Sequence, residues 1–61
     1  MIKVQEVTQG LWACNNCYAV NYDDGKSVKV DNIIEVIIGN NCVRLCEDCF
    51  NQLKVQINNL K

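Results

Sequence analysis

The chain has 61 residues, 49% of them hydrophobic, and a formal net charge of −1. It is long enough for one small domain, which we assign to residues 1–61. A domain of this size buries only about 60% of the surface that its unfolded chain exposes, so it usually needs disulfides, a metal ion or a partner chain. The charge disfavours nucleic-acid binding, which relies on clustered Lys and Arg side chains, and no apolar run approaches the roughly 20 residues of a membrane span.

Five cysteines favour a metal ion among these possibilities. The odd number argues against a complete disulfide framework, and no secretory leader is visible, so we expect a reducing, cytoplasmic setting. Two Cys-x-x-Cys pairs have the spacing of a tetrahedral zinc site. The sequence therefore predicts one structural Zn²⁺ bound by Cys14, Cys17, Cys46 and Cys49.

The first third of the chain predicts a strand and a zinc knuckle. Residues 2–8 are rich in β-branched side chains and should form a short strand that ends before Gly10. Between the first two cysteines, Asn15 and Asn16 suit a tight turn because Asn tolerates left-handed backbone angles.

The middle of the chain predicts two hairpins. Apolar and polar residues alternate on both sides of Asp24-Gly25, across residues 18–22 and 28–30, which favours a β-hairpin. Residues 33–38 predict another strand, which turns at residues 39–41 into a strand over 42–45.

The strand over 33–38 is apolar on both faces. Ile34, Val36 and Ile38 share one face, and Ile33 and Ile37 share the other with Glu35. Because so short a chain has little second core, we expect a partner chain or the amino-terminal strand to cover the additional face.

The last segment predicts a helix from about residue 47 to residue 59. Its apolar residues recur at helical spacing, at Phe50, Leu53, Ile57 and Leu60. Glu47 and Asp48 lie in its first turn and Lys61 at its end, which suits the helix dipole.

The predicted metal site does not favour catalysis. Four protein ligands leave no open coordination position, and without histidine we find no nucleophile–base pair, so we expect no enzyme activity. Iron could also fill a site of four cysteines, but rubredoxin-like knuckles carry Gly where this chain has Tyr18 and Phe50. A thioredoxin-like redox role needs a βαβ unit that the chain is too short to build.

Cys42 lies outside the two pairs. We interpret it as a small buried apolar residue. The alternatives are that it replaces Cys46 or Cys49 as a ligand, or that it is a reactive thiol near the metal.

Four aromatic residues flank the cysteine pairs: Trp12, Tyr18, Tyr22 and Phe50. We interpret them as an apolar collar that keeps water from the thiolates. The alternative is a partner-binding surface, since Trp and Tyr are enriched in interfaces. The candidate partner-binding residues are Trp12, Tyr18, Tyr22, Ile34, Val36 and Ile38.

A knuckle, a hairpin and a second Cys-x-x-Cys at the start of a helix make the chain resemble the treble-clef zinc fingers. Within this class, residues 38–53 resemble the amino-terminal zinc-binding domain of the unfoldase subunit of the Clp protease, with an apolar-Gly turn and a strand entering Cys-acidic-acidic-Cys. The resemblance implies a small α+β, treble-clef-like fold, dimerisation and the binding of adaptor or substrate proteins. The longer insert between Cys17 and Cys46 and the missing ATPase domain are departures from that pattern.

These observations lead to a functional hypothesis. We expect a structural-zinc, protein-interaction module that forms a homodimer and acts as a regulator or inhibitor of a partner protein. The alternatives are a nucleic-acid-binding regulator and a redox or metal-handling protein. Abundant Asn, Ile and Lys are typical of A+T-rich genomes and suggest a low-GC bacterium or its phage.

Overall fold

The computed structural model describes residues 1–60 as a three-stranded antiparallel sheet followed by one helix. The strands are β1 (Ile2–Val7), β2 (Ile33–Ile38) and β3 (Asn41–Cys46), and they lie in the order β1-β2-β3. Helix α1 (Glu47–Asn58) follows β3 directly. With its four-cysteine cluster, this small α+β architecture is consistent with the predicted zinc-finger-like fold. No helix in residues 1–60 has the length and apolar character needed to cross a membrane.

The predicted turn between β2 and β3 is confirmed. Ile38 pairs with Asn41, so the connection is the two-residue turn Gly39-Asn40. Gly39 has a φ of 60°, which a glycine adopts without the steric penalty of a side chain and which suits the first central position of a hairpin turn. The turn therefore sets the register in which the end of β3 reaches the metal site.

The predicted hairpin around Asp24-Gly25 is wrong. Val20 makes only isolated bridges, one antiparallel to Ala13 and one parallel to Lys29. In the parallel bridge, the Val20 N–H donates to the Val28 carbonyl at 2.9 Å and the Val30 N–H donates to the Val20 carbonyl at 2.7 Å.

The reason lies in the loop that precedes Val28. The Asp24 carboxylate accepts hydrogen bonds from the Lys26 and Ser27 N–H groups at 2.8 and 2.7 Å, and Asp23 accepts one from Gly25 at 3.2 Å. Aspartate side chains that bind nearby backbone groups form turns of their own and compete with strand pairing. The chain consequently makes a wide loop and returns parallel to Val20.

One face of the sheet carries a polar row. Gln5, Glu35 and Arg44 are register partners across the three strands. The Gln5 amide donates to Glu35 at 2.7 Å, and Arg44 forms an ion pair with the same carboxylate at 3.0 Å. The Trp12 ring lies 3.8 Å from the Arg44 guanidinium carbon, in the arrangement of a cation–π contact. Trp12 therefore covers the middle of this face.

The opposite face is apolar and largely uncovered. We call it the apolar sheet face; its residues are Ile2, Val4, Ile34, Val36, Ile38 and Val43. Four of its side chains have large exposed fractions, with Ile2 at 76%, Ile38 at 55%, Val4 at 52% and Val43 at 42%. The suggestion that the amino-terminal strand covers a face of β2 is wrong, because β1 pairs beside β2 and extends the sheet.

Helix α1 covers only one end of the apolar sheet face. Phe50 and Leu53 pack against the core, whereas Ile57 and Leu60 are 54% and 77% exposed. The predicted apolar spacing is therefore present, but only its first half contacts the core. The helix ends one residue before the predicted position, and the expected role of Lys61 lies outside the described residues.

The core depends on the cysteines. Its buried cluster consists of Cys14, Ala19, Ile33, Leu45, Cys46 and Cys49. Ile33 and Cys14 have no exposed area. An apolar core this small cannot stabilise the fold by itself, so the state of the sulfur atoms matters for stability.

We expect Ile33→Ala to lower the free energy of unfolding by about 2–5 kcal/mol, because it leaves a cavity in a small core. Ile57→Ala is the matched control, since Ile57 is 54% exposed on α1, and it should change stability by less than about 0.5 kcal/mol. Urea denaturation in the presence of Zn²⁺ measures both. Equal effects of the two substitutions would contradict the assignment of Ile33 to the core.

Candidate metal centre

The first cysteine pair lies in a short, tightly folded knuckle. The Cys14 N–H donates to the Ala19 carbonyl at 2.7 Å, and the Tyr18 N–H donates to the Cys14 carbonyl at 3.0 Å. The tight turn predicted for Asn15 and Asn16 is present, and the non-glycine residue of the knuckle with positive φ is Tyr18, at 65°. Tyr18 thus occupies the position after the second cysteine where Gly would fit without strain.

Asn21 holds the two sides of the knuckle together. Its side-chain oxygen accepts a hydrogen bond from the Trp12 N–H at 2.8 Å, and its own N–H donates to the Trp12 carbonyl at 3.2 Å. Its side-chain amide also donates to the Gly10 carbonyl at 3.1 Å. These bonds fix the chain on both sides of the cysteine pair.

Asn15 attaches the knuckle to the sheet. The Asn15 N–H donates to the Arg44 carbonyl at 2.7 Å, and the Arg44 N–H donates to the Asn15 side-chain oxygen at 2.6 Å. Asn15 therefore satisfies both backbone groups of Arg44 on the outer edge of β3. Because Arg44 comes two residues before Cys46, this pairing brings the two cysteine pairs together.

The second pair is placed by the junction of β3 and α1. Cys46 is the last residue of β3 and the N-cap of α1, with extended backbone angles of −69° and 168°, and Cys49 lies in the first helical turn. The positive end of the helix dipole favours thiolates at this position.

The four predicted ligands, Cys14, Cys17, Cys46 and Cys49, have sulfur atoms that all lie within 4.8 Å of one another. A tetrahedral zinc site with Zn–S bonds of about 2.3 Å has sulfur–sulfur distances of about 3.8 Å. The Cys17 and Cys46 sulfurs are 3.6 Å apart. The cluster could therefore hold one metal ion with little rearrangement.

Hydrogen bonds to the sulfurs are unequally distributed. The N–H groups of Asn16 and Cys17 both donate to the Cys14 sulfur at 3.4 Å. The Asn16 side-chain amide donates to the Cys49 sulfur at 3.3 Å. Such bonds orient metal ligands and partly neutralise their charge.

Burial and these hydrogen bonds act on the thiols in opposite directions. Burial opposes the Cys14 thiolate, but backbone N–H groups, those of Cys17, Cys46 and Asn16, outweigh it and lower the pKa of Cys14 to about 6. Burial raises the pKa of Cys46 to about 12, and the surrounding sulfurs add to the rise. The Asn16 amide favours the Cys49 thiolate, but burial and the neighbouring sulfurs of Cys14 and Cys17 leave the pKa of Cys49 raised. Four thiolates this close need a cation to offset their mutual repulsion.

Cys42 does not belong to this cluster. It is exposed, and it lies on β3 beside Ile37, four residues before Cys46. Our interpretation of Cys42 as a buried apolar residue is wrong. Within residues 1–60, nothing packs over its position on β3 closely enough to bury it.

The aromatic residues form only part of the predicted collar. Trp12 and Phe50 pack against the core cluster. Tyr18 is 72% exposed and Tyr22 is half-buried. Tyr18 therefore does not shield the thiolates, and it stays a candidate for partner binding.

Three asparagines, Asn15, Asn16 and Asn21, have roles that were not predicted from the sequence. The sequence feature that could have predicted these roles is the position of the asparagines inside or shortly after the first cysteine pair. At these positions a side-chain amide can reach backbone groups and sulfurs. Composition alone suggested a genomic bias instead.

Comparisons of the chain with models of protein families, with curated proteins and with solved structures find no match. The resemblance to the zinc-binding domain of the Clp unfoldase therefore stays a prediction, and the function must be argued from the geometry.

We expect Asn16→Ala to weaken metal binding by about 10- to 100-fold, because it removes the amide that donates to the Cys49 sulfur. Asn51→Ala, on an exposed position of α1, is the matched control and should leave the affinity unchanged. Competition with a chromophoric chelator measures both constants. An unchanged affinity in Asn16→Ala would show that this hydrogen bond does not support the site.

Proposed function

We propose that the chain is a structural-zinc, protein-interaction module whose apolar sheet face binds a second copy of the chain. One observation carries this proposal: a closed cluster of four sulfurs lies beside a sheet whose opposite face is apolar and uncovered. The first feature supports a role for the metal in folding, and the second supports a role for the sheet in association.

The identity of the metal follows from the donor set. Four thiolates at tetrahedral spacing suit Zn²⁺, which has no geometric preference of its own and forms closed structural sites with four cysteines. Structural zinc contributes roughly 10–16 kcal/mol in small zinc fingers, against a net domain stability of about 5–15 kcal/mol. We therefore assign the metal as the main stabilising element of the fold.

The same donor set supports a role without catalysis. When bound, the ion would have Cys14, Cys17, Cys46 and Cys49 as its four ligands, and no position would be left for water or substrate. We accordingly propose a binding protein and not an enzyme.

The shape of the chain supports association. It exposes 4785 Å² of surface, whereas a compact monomer of its mass exposes about 4000 Å². Its radius of gyration is 12.1 Å, against about 10.5 Å expected for a compact domain of this length. The excess surface is close to the roughly 800 Å² that each partner contributes to a standard interface.

The composition of the apolar sheet face favours a second copy as its occupant. Among the residues on this side of the described strands, Glu6 is the only ionisable one, and it lies on the edge strand. Two copies can therefore face each other without bringing like charges together at the centre of the interface. A two-fold contact of this kind needs only one self-complementary surface.

The proposed function also includes the binding of a protein other than a second copy of the chain. The treble-clef-like order of elements and the resemblance of residues 38–53 to a domain that dimerises and binds adaptor proteins support a regulator or inhibitor of a partner protein. The exposed Tyr18 and the half-buried Trp12 and Tyr22 lie in the knuckle region, away from the apolar sheet face, and we assign them to such a second contact.

Removal of the metal should unfold the chain, because the cysteines make up half of its buried cluster. We expect a chelator to abolish the native circular dichroism, and Cys46→Ser to prevent binding of one zinc ion per chain. Cys42→Ser is the matched control and should keep the metal, which mass spectrometry under non-denaturing conditions measures. Loss of zinc from Cys42→Ser would overturn the ligand assignment.

Val36→Asp should break the proposed dimer, because it places a charge at the centre of the apolar sheet face. Sedimentation of the unmodified chain should give twice 6.9 kDa, and the variant should sediment as a monomer that still binds zinc. Val55→Asp introduces the same charge on α1, where Val55 is 54% exposed, and should not affect the dimer. A monomeric unmodified chain at high concentration would contradict the assignment of a second copy.

A further inference from the structure

The four sulfurs of the cluster differ in their access to solvent. Cys14 has no exposed area, and Cys46 and Cys49 are 3% and 5% exposed. Cys17 alone among them is exposed. A reagent from solution can therefore reach one ligand far more easily than the other three.

Hydrogen bonding also distinguishes Cys17 from Cys14 and Cys49. N–H groups donate to the sulfurs of Cys14 and Cys49. Within residues 1–60, no N–H group donates to the Cys17 sulfur, whose one hydrogen-bonding contact is the Cys46 sulfur at 3.6 Å. Donated hydrogen bonds withdraw electron density from a thiolate, so the Cys17 sulfur is a stronger nucleophile than the Cys14 and Cys49 sulfurs. The Cys46 sulfur is protected in another way, because Cys46 is only 3% exposed.

A cavity of about 280 Å³ opens beside this sulfur. Three metal ligands line it, the exposed Cys17 and the buried Cys46 and Cys49, together with the side chains of Ala19, Val28, Val30, Asp48 and Gln52. Val28 is 72% exposed at this position. The space admits a small molecule next to the Cys17 sulfur without any displacement of the buried ligands.

We propose that Cys17 is a modification site of the metal centre. Small electrophiles and peroxides react with Cys17 before they react with any of the other three ligands. This inference rests on the metal centre proposed above. The Cys17 thiolate attacks one oxygen of hydrogen peroxide and forms an S–O bond as a sulfenic acid. The O–O bond breaks and the second oxygen leaves as hydroxide.

Cys46 completes the reaction. Its thiolate, 3.6 Å away, attacks the Cys17 sulfur, the S–S bond forms, the S–O bond breaks and a second hydroxide leaves. The two thiolates lose two electrons and the peroxide gains them. Cys42 is separated from Cys46 by four residues of strand, or about 13 Å, and lies too far away to take part.

The consequence is release of the metal. A Cys17–Cys46 disulfide removes two of the four ligands, one from the knuckle and one from the start of α1, so the ion loses its closed site. The centre would then couple the redox state of the surroundings to the fold of the chain, and through it to the apolar sheet face.

The test uses the zinc-loaded Cys42→Ser chain, in which every remaining thiol belongs to the cluster. Non-denaturing mass spectrometry first confirms one zinc ion per chain. A limiting amount of N-ethylmaleimide should then modify Cys17 at least about fivefold more than any other cysteine, as peptide mapping measures. Hydrogen peroxide should release the zinc and produce a Cys17–Cys46 disulfide.

A second pair of variants tests the cavity. Val28→Phe places a larger side chain at its mouth and should slow modification of Cys17 by at least about threefold, whereas Val55→Phe on α1 should leave the rate unchanged. If Cys14, Cys46 or Cys49 is modified first, or if all four cysteines are modified equally, the inference about Cys17 is overturned, but the proposal of a structural zinc site is not. A chain that carries no zinc before treatment would overturn both the inference and the proposed function.

Discussion

The structure depends on the contact between two cysteine pairs that are distant in the sequence. Cys17 of the first pair and Cys46 of the second are 29 residues apart. Asn15 brings them together by pairing with the backbone of Arg44 on the outer edge of β3. This pairing places the knuckle where the strand ends and the helix begins. A metal ion at this point would join the knuckle, sheet and helix, which an apolar core of this size could not hold together by itself.

The small number of elements in the chain also explains why the two faces of the sheet differ. On one face, Glu35 and Arg44 neutralise each other and Trp12 covers the pair, so this face needs no further layer. On the other face, α1 packs over one end only and leaves branched apolar side chains in solvent. A chain with one helix cannot cover both faces of a three-stranded sheet. We propose that the uncovered face serves association and that a metal ion bound by the four cysteines would keep the sheet in the shape that presents it.

Spacing and alternation predicted what depends on local sequence. The two Cys-x-x-Cys pairs, the turn at Gly39 and the start of α1 all follow from residues within a few positions of one another. The features that could not be predicted depend on competition for backbone hydrogen bonds, or on which parts of the chain pack over a given side chain. The carboxylate of Asp24 binds backbone groups that a hairpin would need, so an alternating sequence forms a loop. The sequence around Cys42 could not reveal that its position on β3 is exposed. The left-handed backbone of Tyr18 could not be predicted either, because tyrosine is not a residue type that favours positive φ.

The central claim is that four cysteine sulfurs, two from each half of the chain, surround one ion. X-ray absorption at the zinc edge tests it most directly, because the number, type and distance of the ligand atoms are measured on the folded protein in solution. The account predicts four sulfur atoms at about 2.3 Å and no nitrogen or oxygen atom in the first shell. A first shell with nitrogen or oxygen ligands, or with fewer than four sulfurs, would contradict it.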